Sequence, residues 1–407
     1  MRTEVFNSSL LLLSFGVFPP LAGAFLGASS MALGLVLSLL LVLAFHVNKL
    51  YIFKKIPILL ILFVFIILLH SALLHAQFVF FDIRSYLSFI LLCFVLSMAF
   101  FVSKIILSNN FNIDKSAKYV FWVLLSFAVS ALVTNFRLGE LVYGHHKSIF
   151  PFGEPSHFAL FFGPFVFIFI FQLSTILRKL LVVLSVIVLS LLIESTTLLI
   201  YSALALLLFV RVSYIGIFLV IPIFIIGFYV ILNDPYFISR LVLSADSDNL
   251  TALVYFQGLT DAYNALVNTN GIGLGFQMLG TQPPSEVFLK IQAVLGQGLD
   301  GGGLNRKDGG FVAAKLVAEF GVLGLILLVA YLTLFIKVFI RLRKLIRLPN
   351  TVDPAYVFGL VFIYATFVEI FVRGVGYFSP SLFLFFTAVF IFNFYRIRVK
   401  YFAPNYR

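Results

Sequence analysis

Charge is scarce in this 407-residue chain: Asp, Glu, Lys and Arg make up 11% of it, against roughly 25% in a soluble globular domain. With 62% hydrophobic residues beside it, that shortage excludes a soluble enzyme or binding module. Cysteine is scarcer still. Cys93 stands alone inside an apolar run, which excludes an intramolecular disulfide and a cysteine metal cluster. The six histidines are scattered except for His145 and His146. Two adjacent histidines point apart on regular structure and no third ligand stands near them, so neither a metal nor any other cofactor is expected. The net charge of +12 does not mark a nucleic-acid-binding face, because the basic residues are short punctuation between apolar stretches. What remains is an all-α polytopic membrane protein, embedded in membrane lipids.

Apolar segments long enough to cross a hydrocarbon layer, about 20 residues each, begin near residues 8, 29, 56, 85, 118, 157, 179, 196, 213, 311, 355 and 376. Twelve transmembrane helices are therefore expected. The pair over 179–195 and 196–212 is short, separated only by Glu194 to Thr197, and a single re-entrant hairpin fits it as well. The first run follows Arg2 and carries the small residues Ala22, Gly23 and Ala24, as a signal peptide would, but Pro19 and Pro20 favour a retained, kinked span. Orientation follows from Lys and Arg. The side holding both termini has 19 of the 28 basic residues but only 3 of the 16 acidic ones, so both termini are expected in the cytoplasm.

This path divides the chain into N-terminal helices (1–135), a first external segment (136–156), central helices (157–232), a large external loop (233–310) and C-terminal helices (311–407). Cytoplasmic connections are too short for a nucleotide-binding domain. Chemistry is expected in the two external segments. Within the large loop, Leu250, Leu253, Phe256, Leu259, Tyr263 and Leu266 recur at helical spacing, which predicts an amphipathic helix lying on the membrane or roofing the bundle. Gly271, Gly273 and Gly275 end it with a tight turn. They are no dinucleotide fingerprint, since no strand precedes them. The run Gly296 to Gly303 suits a lid.

Polar groups crowd one membrane edge. Pro155 ends the first external segment and Ser156 reads as an N-cap, putting Glu154 and His157 one turn apart at the positive end of a helix. That arrangement suits a carboxylate base beside an anion, and it equally suits plain helix capping in water. Arg84, Arg137, Arg240, Arg306 and Arg373 also lie at the outer edge. Arginine is costly near hydrocarbon, and its guanidinium matches phosphate oxygens in pairs. Singly, each could reach lipid phosphate or a nearby carboxylate; together they suit one diphosphate. Lys315 and Glu319, four apart on one helical face, make either a self-neutralising ion pair or the lining of a wet cavity with Asp308 and Arg306 at its mouth. Gly321 and Gly324 read as close helix-packing positions.

Three stretches together resemble a known family. They are Phe152-Gly153-Glu154-Pro155-Ser156-His157-Phe158-Ala159; Ala252 to Gly258 leading to Gly273-Leu274-Gly275-Phe276-Gln277; and Leu304-Asn305 through Asp308-Gly309-Gly310-Phe311 to Ala318-Glu319-Phe320-Gly321. The likeness, over roughly residues 135 to 325, is to Wzy-type O-antigen polymerases. It implies a GT-C-like glycosyltransferase of the bacterial inner membrane acting in lipopolysaccharide biosynthesis. Such an enzyme works without a metal and moves a growing glycan from undecaprenyl diphosphate onto a new undecaprenyl-diphosphate-linked repeat unit on the periplasmic side. Donor and acceptor are both lipid-linked oligosaccharides, and a chain-length-regulating co-polymerase is an expected partner. Under this resemblance Glu154 is the first choice of base, with His157 or Asp308 next. Arg240 and Arg137 are the first choices for the diphosphate, followed by Arg306 and Arg373. Lys315, Glu319, His145 and His146 would support them.

Two other readings compete. An O-antigen ligase would share the fold, but ligases are described with a histidine in the last external loop, where this chain has Arg306-Lys307-Asp308. A flippase for the same lipid-linked oligosaccharide would need charges midway along several spans, whereas here they cluster at the outer edge.

Overall fold

The computed structural model describes residues 2–26, 31–78, 83–108, 111–133, 148–209, 249–295, 306–346 and 352–402. Among these residues the chain is helix and turn, with one isolated bridge between Ile149 and Phe152 and no strand. The first half supplies α1 (Arg2–Leu26), α2 (Ala32–Phe45), α3 (Ile58–Phe78), α4 (Ile83–Ile106), α5 (Ile113–Val133), α6 (Pro155–Gln172), α7 (Ile176–Leu192) and α8 (Thr196–Phe209). The second half supplies α9 (Leu250–Asn268), α10 (Glu286–Val294), α11 (Val312–Leu345), α12 (Pro354–Ala365), α13 (Phe367–Phe371) and α14 (Pro380–Phe402). Seven spans are long and apolar enough to cross a membrane. An eighth is possible where α2 meets the 3-10 helix Val47–Lys55 at a 107° bend. The chain is thus a multi-pass, all-helical membrane protein. Helices stand at eleven of the twelve expected positions, but only seven of those positions carry a helix long and apolar enough to be a full span, and the position near 213 lies outside the described residues.

Helix starts are written locally. Asn249, Ser285, Thr175 and Asp353 each accept a hydrogen bond from a backbone N–H in the first turn of α9, α10, α7 and α12, satisfying donors that have no partner inside the helix. Between helices in lipid, apolar burial gives little drive, so close approach does more. A Cβ on Gly34 would stand 2.4 Å from the Pro19 backbone, and one on Gly163 would stand 2.5 Å from the Tyr201 ring. Phe121 and Phe169 stack with centroids 4.1 Å apart.

Cross-helix bonds fix the two ends of the bundle. The Ser116 hydroxyl reaches Val5 O (3.4 Å), the Gln172 amide reaches Asp114 O (2.7 Å) and Lys179 Nζ reaches Ile346 O (2.7 Å). These contacts gather Lys115, Lys179 and Lys344 at one end. Glu154, Lys315 and Arg373 stand at the other.

The amphipathic helix expected over 250–268 is present, and small and polar residues make most of its inward face: Ala252, Gly258, Ala262 and Ala265 are buried together with Leu253, while Leu259 and Tyr263 keep 44% and 67% of their surface. The cause is proximity: a Cβ on Gly258 would lie 2.2 Å from Gly309 O, so only small residues let α9 seat on the start of α11. Gly321, read as a packing position, breaks α11 instead. Its backbone sits at φ 55°, ψ −129°, a conformation that glycine alone adopts readily. The turn after α9 fills the break. Leu274 N donates to Ala318 O (2.9 Å), Gly275 N to Glu319 O (2.8 Å), and Val322 N to Gly271 O (2.8 Å). Backbone groups freed inside a membrane helix must find partners, and the glycine turn supplies them.

Candidate functional site

α6 begins at Pro155, with Glu154 in the N-cap position at φ −132°, ψ 147°. The expected cap, Ser156, lies inside the first turn, and the carboxylate does not cap the backbone. It accepts from the Ser156 hydroxyl (2.8 Å) and from Arg373 Nη2 (3.0 Å), with His157 Nε2 at 3.9 Å. Partial burial would raise the Glu154 pKa, but Arg373, His157 and the Ser156 hydroxyl override that and hold it at about 2. The carboxylate is ionised and weakly basic for as long as Arg373 stays on it.

A second polar group gathers where the break in α11 meets the turn before it. Lys315, 1% exposed, donates to Gln277 Oε1 (3.2 Å) and Lys307 O (2.5 Å). It stands 3.6 Å from Asp308 and 3.7 Å from Glu319, and it lies over the Tyr377 ring. The expected pair of Lys315 and Glu319 is therefore part of a larger hub. Glu319 also accepts from Leu279 N (3.3 Å). Gln277, at φ 61°, accepts from Arg84 Nη2 (3.1 Å) as well as from Lys315. One neutral oxygen thus draws two cations together.

The two groups are tied through the chain after α13. Gly374 N donates to Gly310 O (2.9 Å), and Gly376, at φ 88°, faces Asp308, whose Oδ1 lies 3.1 Å from where a Cβ would stand. A side chain at either glycine would push the segment carrying Arg373 away from the turn carrying Asp308. His157 additionally lines a cleft with Pro20, Phe161, Val375 and Ser381.

Arg306 does not share an acceptor with Arg373. It donates to Gln282 O (3.1 Å) and lies over the Phe288 ring, beside the buried Asp261. Burial raises the Asp261 pKa, and Ser285, Gln257 and Arg306 pull it part of the way back. Arg137, Arg240, His145, His146 and the glycine run proposed as a lid lie outside the described residues. Among the described residues, no three His, Cys, Asp or Glu side chains gather as metal ligands would.

Sequence reasoning gives Gln277 no role beyond its place in the Gly273 to Gln277 stretch and does not single out Tyr377. The left-handed backbone of Gln277 and its contact with Arg84, 193 positions earlier, have no local signature. The triplet Gly273-Leu274-Gly275 just before it was the available signal. Comparison of the chain with protein-family models, curated proteins and solved structures finds no match.

Proposed function

We propose that the chain is a Wzy-type polymerase, a GT-C-like glycosyltransferase with twelve spans. On this reading it extends a lipid-linked glycan at the outer face of a bacterial inner membrane. One observation carries the reading: Arg84, Glu154, Asp308, Lys315 and Arg373, from separate parts of the sequence, converge at one end of the bundle on two segments bonded to each other. A diphosphate leaving group develops negative charge as the glycosidic carbon departs, and fixed cations at that point lower the barrier. The broken α11 supports the same reading, because irregular backbone at membrane depth is tolerated where it is buried or lines a cavity.

In this scheme the donor diphosphate binds Arg373, and Arg137 and Arg240 assist. The diphosphate oxygens draw Arg373 off Glu154, whose carboxylate becomes a stronger base as its neutralising partner leaves. Glu154 takes the proton of the acceptor hydroxyl as that oxygen bonds the anomeric carbon and the C–O bond to the diphosphate breaks, releasing the lipid diphosphate. His157 and Asp308 are the alternative bases. Lys315 holds Asp308 and Gln277 in place and does not touch substrate. A co-polymerase that regulates chain length belongs to the proposal as a partner.

Deleting the gene and resolving surface lipopolysaccharide on a gel tests this. Loss of a polymerase leaves core bearing one repeat unit, and restoring the chain restores the ladder, whereas Glu154→Gln, present at normal level, gives one repeat only. Bare core would point to a ligase, or to a flippase if the lipid-linked unit is trapped inside. A full ladder from Glu154→Gln would remove that carboxylate from the chemistry.

A further inference from the structure

Glu369, on α13 within the span Pro354–Phe371, is fully buried. One of its oxygens accepts from the Ser381 hydroxyl, and the other, Oε1, has no partner. The groups facing it are hydroxyls. Ser379 and Ser381 come from the start of α14, and Tyr201, whose own hydroxyl is unpartnered, comes from α8. From α11 and α12, Tyr331 donates to Ile363 O and Tyr364 to Leu204 O, so both hydroxyls are committed elsewhere. No Lys, Arg or His among the described residues faces the carboxyl.

A bare carboxylate in such a place is expensive and must be neutralised by a proton or a cation. Glu369, Ser379 and Ser381 offer too few oxygens for a hard cation, which takes roughly six or more. A proton needs one. Ser381 also lines the cleft that His157 and Val375 line, so the residue whose hydroxyl bonds the buried carboxyl also borders the cleft.

We propose that Glu369 is a proton-binding site, neutral at pH 7, that exchanges its proton with the cleft through Ser381. The inference stands apart from the glycosyltransferase reading. It ties the proton to the segment between α13 and α14 that carries Arg373 and Gly376.

Infrared spectroscopy of the full-length protein in detergent tests it. The wild type is expected to show the C=O band of a protonated carboxyl in an apolar setting at pH 7, absent in Glu369→Gln and shifted in heavy water. Ser381→Ala retains the carboxyl, so it reports even where Glu369→Gln fails to fold; it should keep the band and slow the heavy-water shift at least tenfold. Three results would overturn the proposal: no band at pH 7, a band that appears only when sodium is withdrawn, or exchange as fast in Ser381→Ala as in wild type.

Discussion

Glu154 shows how far single residues can be read. Its spacing from His157, one helical turn, is legible in the sequence, and so is its position at the start of a helix. Its partner is not, because Arg373 lies 219 positions away and only the packing of the 372–378 segment against the 308–312 turn brings it near. That partner sets the acid–base behaviour. The carboxyl pKa falls from 4.5 to about 2, so its contribution to stability is fully present above pH ~4.5 and is lost as pH falls through the depressed value. The Glu154 side chain keeps 44% of its surface, so solvent screening limits the pair to about 1 kcal/mol. Glu154→Gln is therefore expected to melt slightly below wild type near neutrality. The gap should close between pH ~4.5 and ~2 as the wild-type carboxylate takes up its proton. Melting curves in detergent across that range check this, and a gap that does not change with pH would mean that Arg373 does not hold the carboxylate.

At the scale of elements, apolar runs located the helices well, since hydropathy is a local property, whereas the one cap read from the sequence, Ser156, lies inside the first turn of α6. What the runs could not show was the break in α11, because Gly321 sits in a run that reads as continuous helix and its cause lies some 50 positions earlier, in the turn Gly271 to Gly275. Periodicity likewise finds α9 without saying which of its faces packs inward. Hydrophobic periodicity finds the apolar stripe, but in lipid that stripe can face outward while small residues make the close contact. The break makes a strong prediction. A Cβ on Gly321 would stand 2.0 Å from Gly271 O, at a φ of 55°, so Gly321→Ala must either straighten α11 or expel the turn. Backbone strain alone is worth about 1–3 kcal/mol, and the lost bonds at Ala318, Glu319 and Val322 add to it. The variant should melt well below wild type and become open to proteolysis between 270 and 280. Leu325→Ala, at an exposed position of the same helix, should do neither. Equal stability of Gly321→Ala and wild type would show that the break is not required.

At the scale of the molecule, charge asymmetry and structure can be set against each other. The sequence assigns Lys115, Lys179 and Lys344 to one side of a membrane and Glu154 and Arg373 to the other, and cross-helix bonds place the same groups at opposite ends of one bundle. Basic residues concentrate on the cytoplasmic side of membrane proteins, so the Glu154 end should face outward. That is where a glycan polymerase must work. Because Cys93 is the sole cysteine, Cys93→Ser gives a clean background for introduced thiols. In intact cells, Glu286→Cys on α10, an exposed position, should react with a membrane-impermeant maleimide, whereas Lys344→Cys should react only after permeabilisation. The reverse order would put the Arg373 and Lys315 groups in the cytoplasm. A lipid-linked donor presented on the outer face could not then reach them, and the proposed polymerase would have no substrate at its site.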